Sequence, residues 1–306
     1  MRITHQRLFQ AFRYLQHENP LGLPRSGEPP SWPRRPRQRK IAGVDKVIAV
    51  SSAKGGVGKS TVAANLSLAF ARLGLRAGIL DTDLFGPSIP TLFDLSGEPR
   101  LSSNNQLVPL TNYGVKTMSI GYLVGDDAPV VWRGPMVMKA IQQLLHEVDW
   151  GHLDILVLDL PPGTGDTQLT ITQQVVLDGS VIVTTPHTLA TKDAIKGINM
   201  FKKVDVNIVG VVQNMSLFTC PHCHGETSVF GSNERVKKLC KEHEIEFLGG
   251  IPLHPSIGDD GERGKPTVIS EPSSERASSF LQVAQAVLAK IGLEKIVSSH
   301  GVQRMP

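Results

Sequence analysis

The chain has 306 residues, 40% hydrophobic and 20% charged, enough to bury a full α/β core. Its net charge of +4 is unevenly spread: residues 1–40 carry nine basic side chains against two acidic ones, so the remainder is mildly acidic and a general nucleic-acid binder is not expected. Three cysteines cannot staple a fold of this length and point to a reducing compartment, and no apolar run approaches the roughly 18–20 residues of a membrane-spanning helix, so a soluble protein without membrane insertion is expected.

Residues 2–17 bear arginines, lack Asp and Glu, and put Leu8, Ala11, Phe12 and Leu15 on one helical face. This is the pattern of a mitochondrial presequence, which predicts a matrix protein; the alternative is a basic arm that binds something acidic. Residues 19–40 are rich in Pro, Arg and Gly and read as a linker. One folded domain is expected over residues 41–297, with a flexible tail at 298–306.

Residues 46–50 form an apolar, β-rich run. Ser51-Ser52-Ala53-Lys54-Gly55-Gly56-Val57-Gly58-Lys59-Ser60-Thr61 follows, and then a helical pattern with Val62, Leu66, Ala69, Phe70 and Leu73 on one face. Strand, glycine-rich turn and helix are the context of a phosphate-binding loop. The glycines let successive backbone N–H groups converge on a polyphosphate, and the helix start adds unpaired amides and the positive end of its dipole. Lys59 is placed to neutralise the β- and γ-phosphates and Ser60 to ligate Mg2+, which makes ATP the expected ligand. Ala53 stands where the strict G-x-x-x-x-G-K-[ST] pattern has its first Gly, and Lys54 is an additional lysine. The loop resembles the deviant Walker A of the MinD/ParA/Mrp class of P-loop ATPases. That resemblance implies that Lys54 reaches across a homodimer to the partner's nucleotide.

Residues 76–81 read as a second buried strand with Asp81-Thr82-Asp83 at its carboxyl end, where doubly wound sheets bind ligands. Asp83 is a candidate for orienting the attacking water and Asp81 for holding the Mg2+ shell. Residues 115–120 predict a strand, and residues 135–148 a helix with Met136, Ala140, Ile141, Leu144 and Leu145 inward. Residues 131–135 fit either a binding loop or a packed turn.

Residues 152–159 are an apolar strand ending in Asp159, the Walker B arrangement in which the carboxylate polarises a water of the Mg2+ shell. Pro161-Pro162-Gly163-Thr164-Gly165 is a candidate γ-phosphate switch, or a rigid turn into the next helix. Residues 180–186 give another strand, followed by a helix to about Lys203, and residues 206–213 a further strand ending at Asn214. The MinD-like class carries at this place an Asn that reads adenine, while a plain alternative is that Asn214 caps a turn. Residues 232–244 and 275–291 predict helices, the second with Phe280, Ala284, Val287 and Leu288 toward the sheet, and residues 246–251 a last strand.

Cys220-Pro221-His222-Cys223 offers two thiols separated by two residues. A c-type haem would require export, for which no secretory signal is seen, and a redox pair would require a thioredoxin-like helix start. Zinc needs four ligands, with His222, His224 and Cys240 as candidates to complete the set. An iron-sulfur cluster needs four thiolates, which two subunits of a symmetric dimer supply.

The P-loop with Lys54, Asp81-x-Asp83, residues 159–166 and Cys220-x-x-Cys223 together resemble the Mrp/ApbC/NBP-type iron-sulfur carrier P-loop ATPases, over about residues 41–293. With the arginine-rich leader, the resemblance is to the mitochondrial kind required for assembly of respiratory complex I. It implies a doubly wound, mainly parallel α/β sheet and a slow ATPase. It further implies a homodimer bridged by a 4Fe-4S cluster on Cys220 and Cys223, with delivery to complex I apoproteins. Ala53 departs from the family's usual Gly, and residues 1–219 lack the cysteines of relatives bearing an additional N-terminal cluster. Two rivals stand beside it: a MinD/ParA-like positioning ATPase, and a P-loop ATPase with a structural zinc site.

Overall fold

The computed structural model describes residues 38–84, 86–123, 134–220 and 222–293. The presequence, Trp132 with Arg133, and the tail at 298–306 lie outside the described residues. Chain pairing starts slightly before Ile41. Arg39 N donates to the Gln174 carbonyl at 2.8 Å, Val176 N donates to the Arg39 carbonyl at 3.1 Å, and Gln38 Nε2 reaches the Thr172 carbonyl at 3.0 Å.

Strands and helices alternate. In chain order they are β1 (Val44–Ser51), α1 (Lys59–Arg72), β2 (Ala77–Asp81), α2 (Ile89–Leu92), β3 (Leu110–Asn112), β4 (Val115–Ser119), α3 (Gly134–His146), β5 (Leu153–Asp159), α4 (Asp166–Gln174) and β6 (Gly179–Thr184). There follow α5 (Thr188–Lys203), β7 (Ile208–Gln213), β8 (Phe218–Thr219), β9 (Glu226–Thr227), α6 (Glu234–His243), β10 (Phe247–Gly250), α7 (Pro255–Glu262), α8 (Thr267–Ser270) and α9 (Glu275–Ile291). Eight strands make one sheet in the order β10-β7-β6-β1-β5-β2-β4-β3, and β8 pairs with β9 in a separate hairpin. Every neighbouring pair of the large sheet is parallel except β3 with β4. This is the doubly wound, mainly parallel α/β architecture expected from the sequence.

The central strands are apolar on both sides because helices cover both faces. Alternate residues of β1 divide between two cores: Ile48 and Val50 pack in one with Val62 and Leu66 of α1 and Phe280 and Val287 of α9. Val47 and Ala49 lie in the other with Ile141 and Leu144 of α3 and Ile198 and Phe201 of α5. Helix α1 is buried along its whole run from Val62 to Ala71, not on one stripe, and its small alanines suit the close approach to sheet and α9. Helix α9 has the bounds read from its periodicity; Ser274 Oγ accepts from Ala277 N at 3.1 Å at its start, and Gly292 turns left-handed at its end.

The buried face of α3 differs from the one its sequence pattern predicts. In α3 the buried residues are Val137, Ile141, Leu144 and Leu145, whereas Met136 is 51% exposed and Ala140 only half-buried. The stripe that meets the sheet is centred on Ile141, and Met136, five residues back, falls well to its side at 100° per residue. The antiparallel edge strand β3, the short helices α2, α7 and α8, and the β8–β9 hairpin carry too little periodicity to be predicted.

Strand register sets up the site. Asp159 of β5 lies level with Val50 of β1 on one side and with Asp81 of β2 on the other, so three carboxyl ends finish together. The glycine-rich loop leaves β1 at this edge.

Candidate nucleotide and cluster site

The loop after β1 enters α1 through Gly58, which adopts φ 81° and supplies no side-chain cap. The first turn contains no acidic residue. The free amides and positive dipole end of α1 are therefore left for an anion, a cradle that suits the phosphates of a nucleotide. A Cβ on Gly58 would strike Asn214 Nδ2, so this position needs glycine both for its backbone and for its contact. Gly55 and Gly56 are exposed, and Ser60 and Thr61 are half-buried at the helix start. Lys54 is half-buried, its carbonyl accepting from Ser52 Oγ at 3.0 Å, and its ammonium has no ion pair among the described residues.

Lys59 Nζ forms an ion pair with Asp159 Oδ1 and lies 3.1 Å from Ser60 Oγ. Asp159 is fully buried, and its Oδ2 has no hydrogen-bond partner among the described residues. The orphaned carboxylate oxygen of Asp159 and the Ser60 hydroxyl, both on groups that contact Lys59 Nζ, are oxygen donors that suit a hydrated Mg2+. The Asp159 carbonyl is held by Thr82, whose N and Oγ1 donate to it at 3.0 and 2.8 Å.

Asp81 is also fully buried. Its Oδ1 accepts from Asp83 N at 3.0 Å, and its Oδ2 from Ser88 N and Ser119 Oγ at 3.1 Å and Ile89 N at 3.3 Å. These donors make the Asp81 carboxylate the organiser of the loop that carries Asp83. Burial, and next the negative charge of Asp159, push Asp81 up to about 7 despite those donors. Asp83 is half-buried on this loop.

Two further residues, Gln168 and Gly163, tie the loops of this edge together. Gln168 of α4 is 1% exposed and donates to Ser51 Oγ at 2.9 Å and to the Pro161 carbonyl at 2.7 Å. Gly163 N adds a bond to the Ser52 carbonyl at 2.9 Å. Together they strap the turn after β5 to the root of the phosphate loop. In sequence Gln168 is one polar residue on a short helix, and nothing local marks it.

Asn214 closes the other side. Its backbone N donates to the Thr184 carbonyl at 2.8 Å, and its side-chain Nδ2 to the Val57 carbonyl at 2.9 Å. The side chain thus grips the phosphate loop. A cavity of about 420 Å3 opens beside it, between Gly58 and Thr61 on one side and Phe218, Leu253 and His254 on the other.

The cysteines occupy the turn of the β8–β9 hairpin. Cys220 is half-buried and Cys223 exposed. Cys220 N donates to the Gly225 carbonyl at 3.0 Å, and His224 N to the Cys220 carbonyl at 2.9 Å. The backbone N–H groups of Cys223 and His222 point at the Cys220 sulfur and lower its pKa, favouring the thiolate that binds metal. Cys240 is different: it is 3% exposed in α6, and burial, then Glu246, push its thiol up to about 11. Among the described residues the one cluster of three metal-binding groups is Asp45, His152 and Asp154, so neither His222, His224 nor Cys240 joins the cysteine pair. The hairpin is bound to the cavity wall, since Leu253 N donates to the Leu217 carbonyl at 2.8 Å and Phe218 bridges to Leu253.

Geometry thus gathers the phosphate loop, Asp81, Asp83, Asp159 and Asn214 at one sheet edge and attaches Cys220 and Cys223 to its rim. Comparison with known proteins gives a family described as a ParA-type NUBPL iron-transfer P-loop NTPase, matched over residues 43–288. The iron-sulfur cluster transfer protein NUBPL of Dictyostelium discoideum is 49% identical over 262 residues, covering 84% of this chain and 81% of the relative. An Arabidopsis thaliana iron-sulfur protein required for NADH dehydrogenase, mitochondrial, is 46% identical, covering 83% and 81%. Among solved structures, a nucleotide-binding protein in complex with ADP from Archaeoglobus fulgidus superposes with a TM-score of 0.67 at 37% identity, covering 78% of this chain and 93% of that one.

Proposed function

The chain belongs to the family of NUBPL iron-transfer P-loop NTPases, and on that premise we propose that it is an ATP-dependent iron-sulfur carrier serving mitochondrial complex I. In this reading two copies hold a 4Fe-4S cluster between their Cys220 and Cys223 pairs and release it to complex I apoproteins in the matrix. The observation that carries it is the attachment of the cysteine hairpin to the nucleotide cavity: Phe218 lines that cavity and stands two residues before Cys220. What happens at the phosphate loop therefore reaches the thiols through one short stretch of backbone.

Each residue has a role in that mechanism. The amides of Gly55, Gly56, Val57 and Gly58 cradle the phosphates, and Lys59 moves from Asp159 to the β- and γ-oxygens. Ser60, and Asp159 through water, would hold Mg2+, whose chemistry there is to neutralise the charge on the phosphates. Asp83, placed by Asp81, orients the attacking water, and Lys54 completes the site of the second copy. Thr61 continues the helix start beside the base cavity, where Asn214 meets the base. The turn strapped by Gln168 moves with the γ-phosphate, and the clamping of the two copies changes with it.

The arginine-bearing leader supports import into mitochondria, as does the name of the Arabidopsis relative. Nucleic acid is not among the expected partners, and no helix of the described residues is long and apolar enough to cross a membrane. Anaerobic purification with iron, sulfide and zinc analysis tests the proposal. Four iron and four sulfide per two chains support it. One zinc per monomer would replace it by the structural-zinc reading, and a metal-free anaerobic protein by the positioning ATPase. A fluorescent fusion of residues 1–45 that stayed in the cytosol would remove the mitochondrial assignment.

A further inference from the structure

The cavity beside Asn214 contains a second polar group whose hydrogen-bonding sense is fixed. Asn214 is 7% exposed, and its Nδ2 is spent on the Val57 carbonyl at 2.9 Å. A carbonyl can only accept, so this bond settles which way the carboxamide faces and leaves Oδ1, an acceptor, for a ligand. His254 lines the same cavity, at the start of α7. Its Nδ1 accepts from Ser256 N at 3.2 Å, so the neutral ring carries its proton on Nε2, a donor. Met215, Phe218 and Leu253 supply apolar walls of the kind against which a flat ring stacks.

We infer that His254 and Asn214 together select adenine over guanine nucleotides, with Asn214 Oδ1 accepting from the exocyclic amine and His254 Nε2 donating to a ring nitrogen next to it. The inference rests on the reading of the phosphate loop as a nucleotide site, and goes beyond it by naming His254 and the direction of both bonds. Adenine presents a donor, N6–H2, between two ring-nitrogen acceptors, N1 and N7. Guanine presents O6 in place of the amine, so an acceptor would face the Asn214 acceptor with no proton between them. On the edge that includes N1–H, a donor would also face the His254 donor. In a cavity lined mainly by apolar groups such mismatches are left unpaired, which is where discrimination is largest.

The test uses the full chain and four triphosphates: ATP, GTP, ITP and purine riboside triphosphate, which lacks the 6-amino group. Calorimetry should give ATP binding at least about 100-fold tighter than GTP or ITP, and purine riboside triphosphate in between, as expected when one buried hydrogen bond is lost or two polar groups are opposed. His254→Leu should weaken ATP about 10-fold and shrink the ATP-to-GTP ratio, yet leave the penalty for losing the amino group unchanged. His254→Gln, which keeps a donor, should restore much of the preference. Unfolding curves of both variants check that the fold is kept.

Wild-type binding of ATP and GTP within about threefold would overturn the inference, as would a His254→Leu ratio equal to that of wild type. Either result leaves the phosphate loop as a nucleotide site. Failure of all four triphosphates to bind would overturn the nucleotide reading itself, and the base preference with it.

Discussion

The ammonium of Lys59 and the carboxylate of Asp159 form an ion pair across 100 residues of sequence, with Lys59 6% exposed and Asp159 fully buried. A nucleotide that takes Lys59 must break this pair, and Asp159 must then find a new cation or partner. Lys59→Met should abolish ATP binding and also cost roughly 3–5 kcal/mol of stability, because it strands a buried carboxylate beside a second one. Lys59→Met combined with Asp159→Asn should regain most of that stability while still failing to bind ATP. Urea unfolding at neutral pH measures both, and a single variant as stable as wild type would refute the account.

Asp81 gives the fold an unusual pH response. Its carboxyl is pushed from 3.8 up to about 7, so the folded chain holds this proton more tightly than the unfolded chain does. The stabilisation from this group is full below 3.8 and is lost as pH rises through about 7. Asp154 has the opposite sign: the hydrogen bond from Arg76 lowers it, so its contribution is present above the ordinary carboxylate value and is lost in acid. Asp81→Asn should therefore flatten the decline of stability across the upper window and leave the acid limb in place. Denaturant melts over a pH series will show it, and parallel curves for variant and wild type would sink the prediction.

Gly58→Ala should damage the site twice. The residue adopts φ 81°, which costs a side-chain-bearing residue roughly 1–2 kcal/mol. The added methyl would also collide with Asn214 Nδ2, breaking its bond to Val57. Adding Asn214→Ala should relieve the collision but not the backbone strain, so the double variant is expected to recover only part of the lost stability and none of the nucleotide affinity. Full recovery would mean that the backbone conformation contributes nothing.

The three cysteines should separate by reactivity. In anaerobic apo-protein near neutral pH, Cys220 and Cys223 should react quickly with a thiol reagent, and Cys240 only on unfolding, since it is buried and its thiol lies at about 11. Cys220→Ala or Cys223→Ala should remove bound iron. Cys240→Ala should leave iron bound and cost roughly 1 kcal/mol by emptying a small buried volume. Rapid alkylation of three thiols would contradict the burial, and iron retained by Cys220→Ala would contradict the ligand assignment.

What the sequence shows of this site is what lies close together along the chain. Residues 51–61 carry strand end, glycines, lysine and helix start in one run, and each reports on a local requirement of backbone or charge. The Cys220 and Cys223 pair is legible for the same reason. The grip of Asn214 on Val57 spans 157 residues, and the strap of Gln168 on Ser51 spans 117. Such contacts are made by strand order, and strand order is not a local property. The error in α3 is of the same origin: Met136 and Val137 are equally apolar, and only the angle at which the helix meets the sheet decides that Val137 goes inward. The donors that hold Asp81, from Ser88, Ile89 and Ser119, come from segments whose approach no spacing announces.

The two borders of the large sheet restrict how a second copy can approach. One border is β3, three residues long and antiparallel to its neighbour; the other is β10, four residues long and out of register between Phe247 and Gly249. Short or irregular borders offer few free N–H and C=O groups in line, and they resist the strand-to-strand stacking that builds fibrils. A long apolar sheet is thereby kept from joining end to end with another. A continuous sixteen-stranded sheet, built edge to edge from two copies, is therefore disfavoured by both borders.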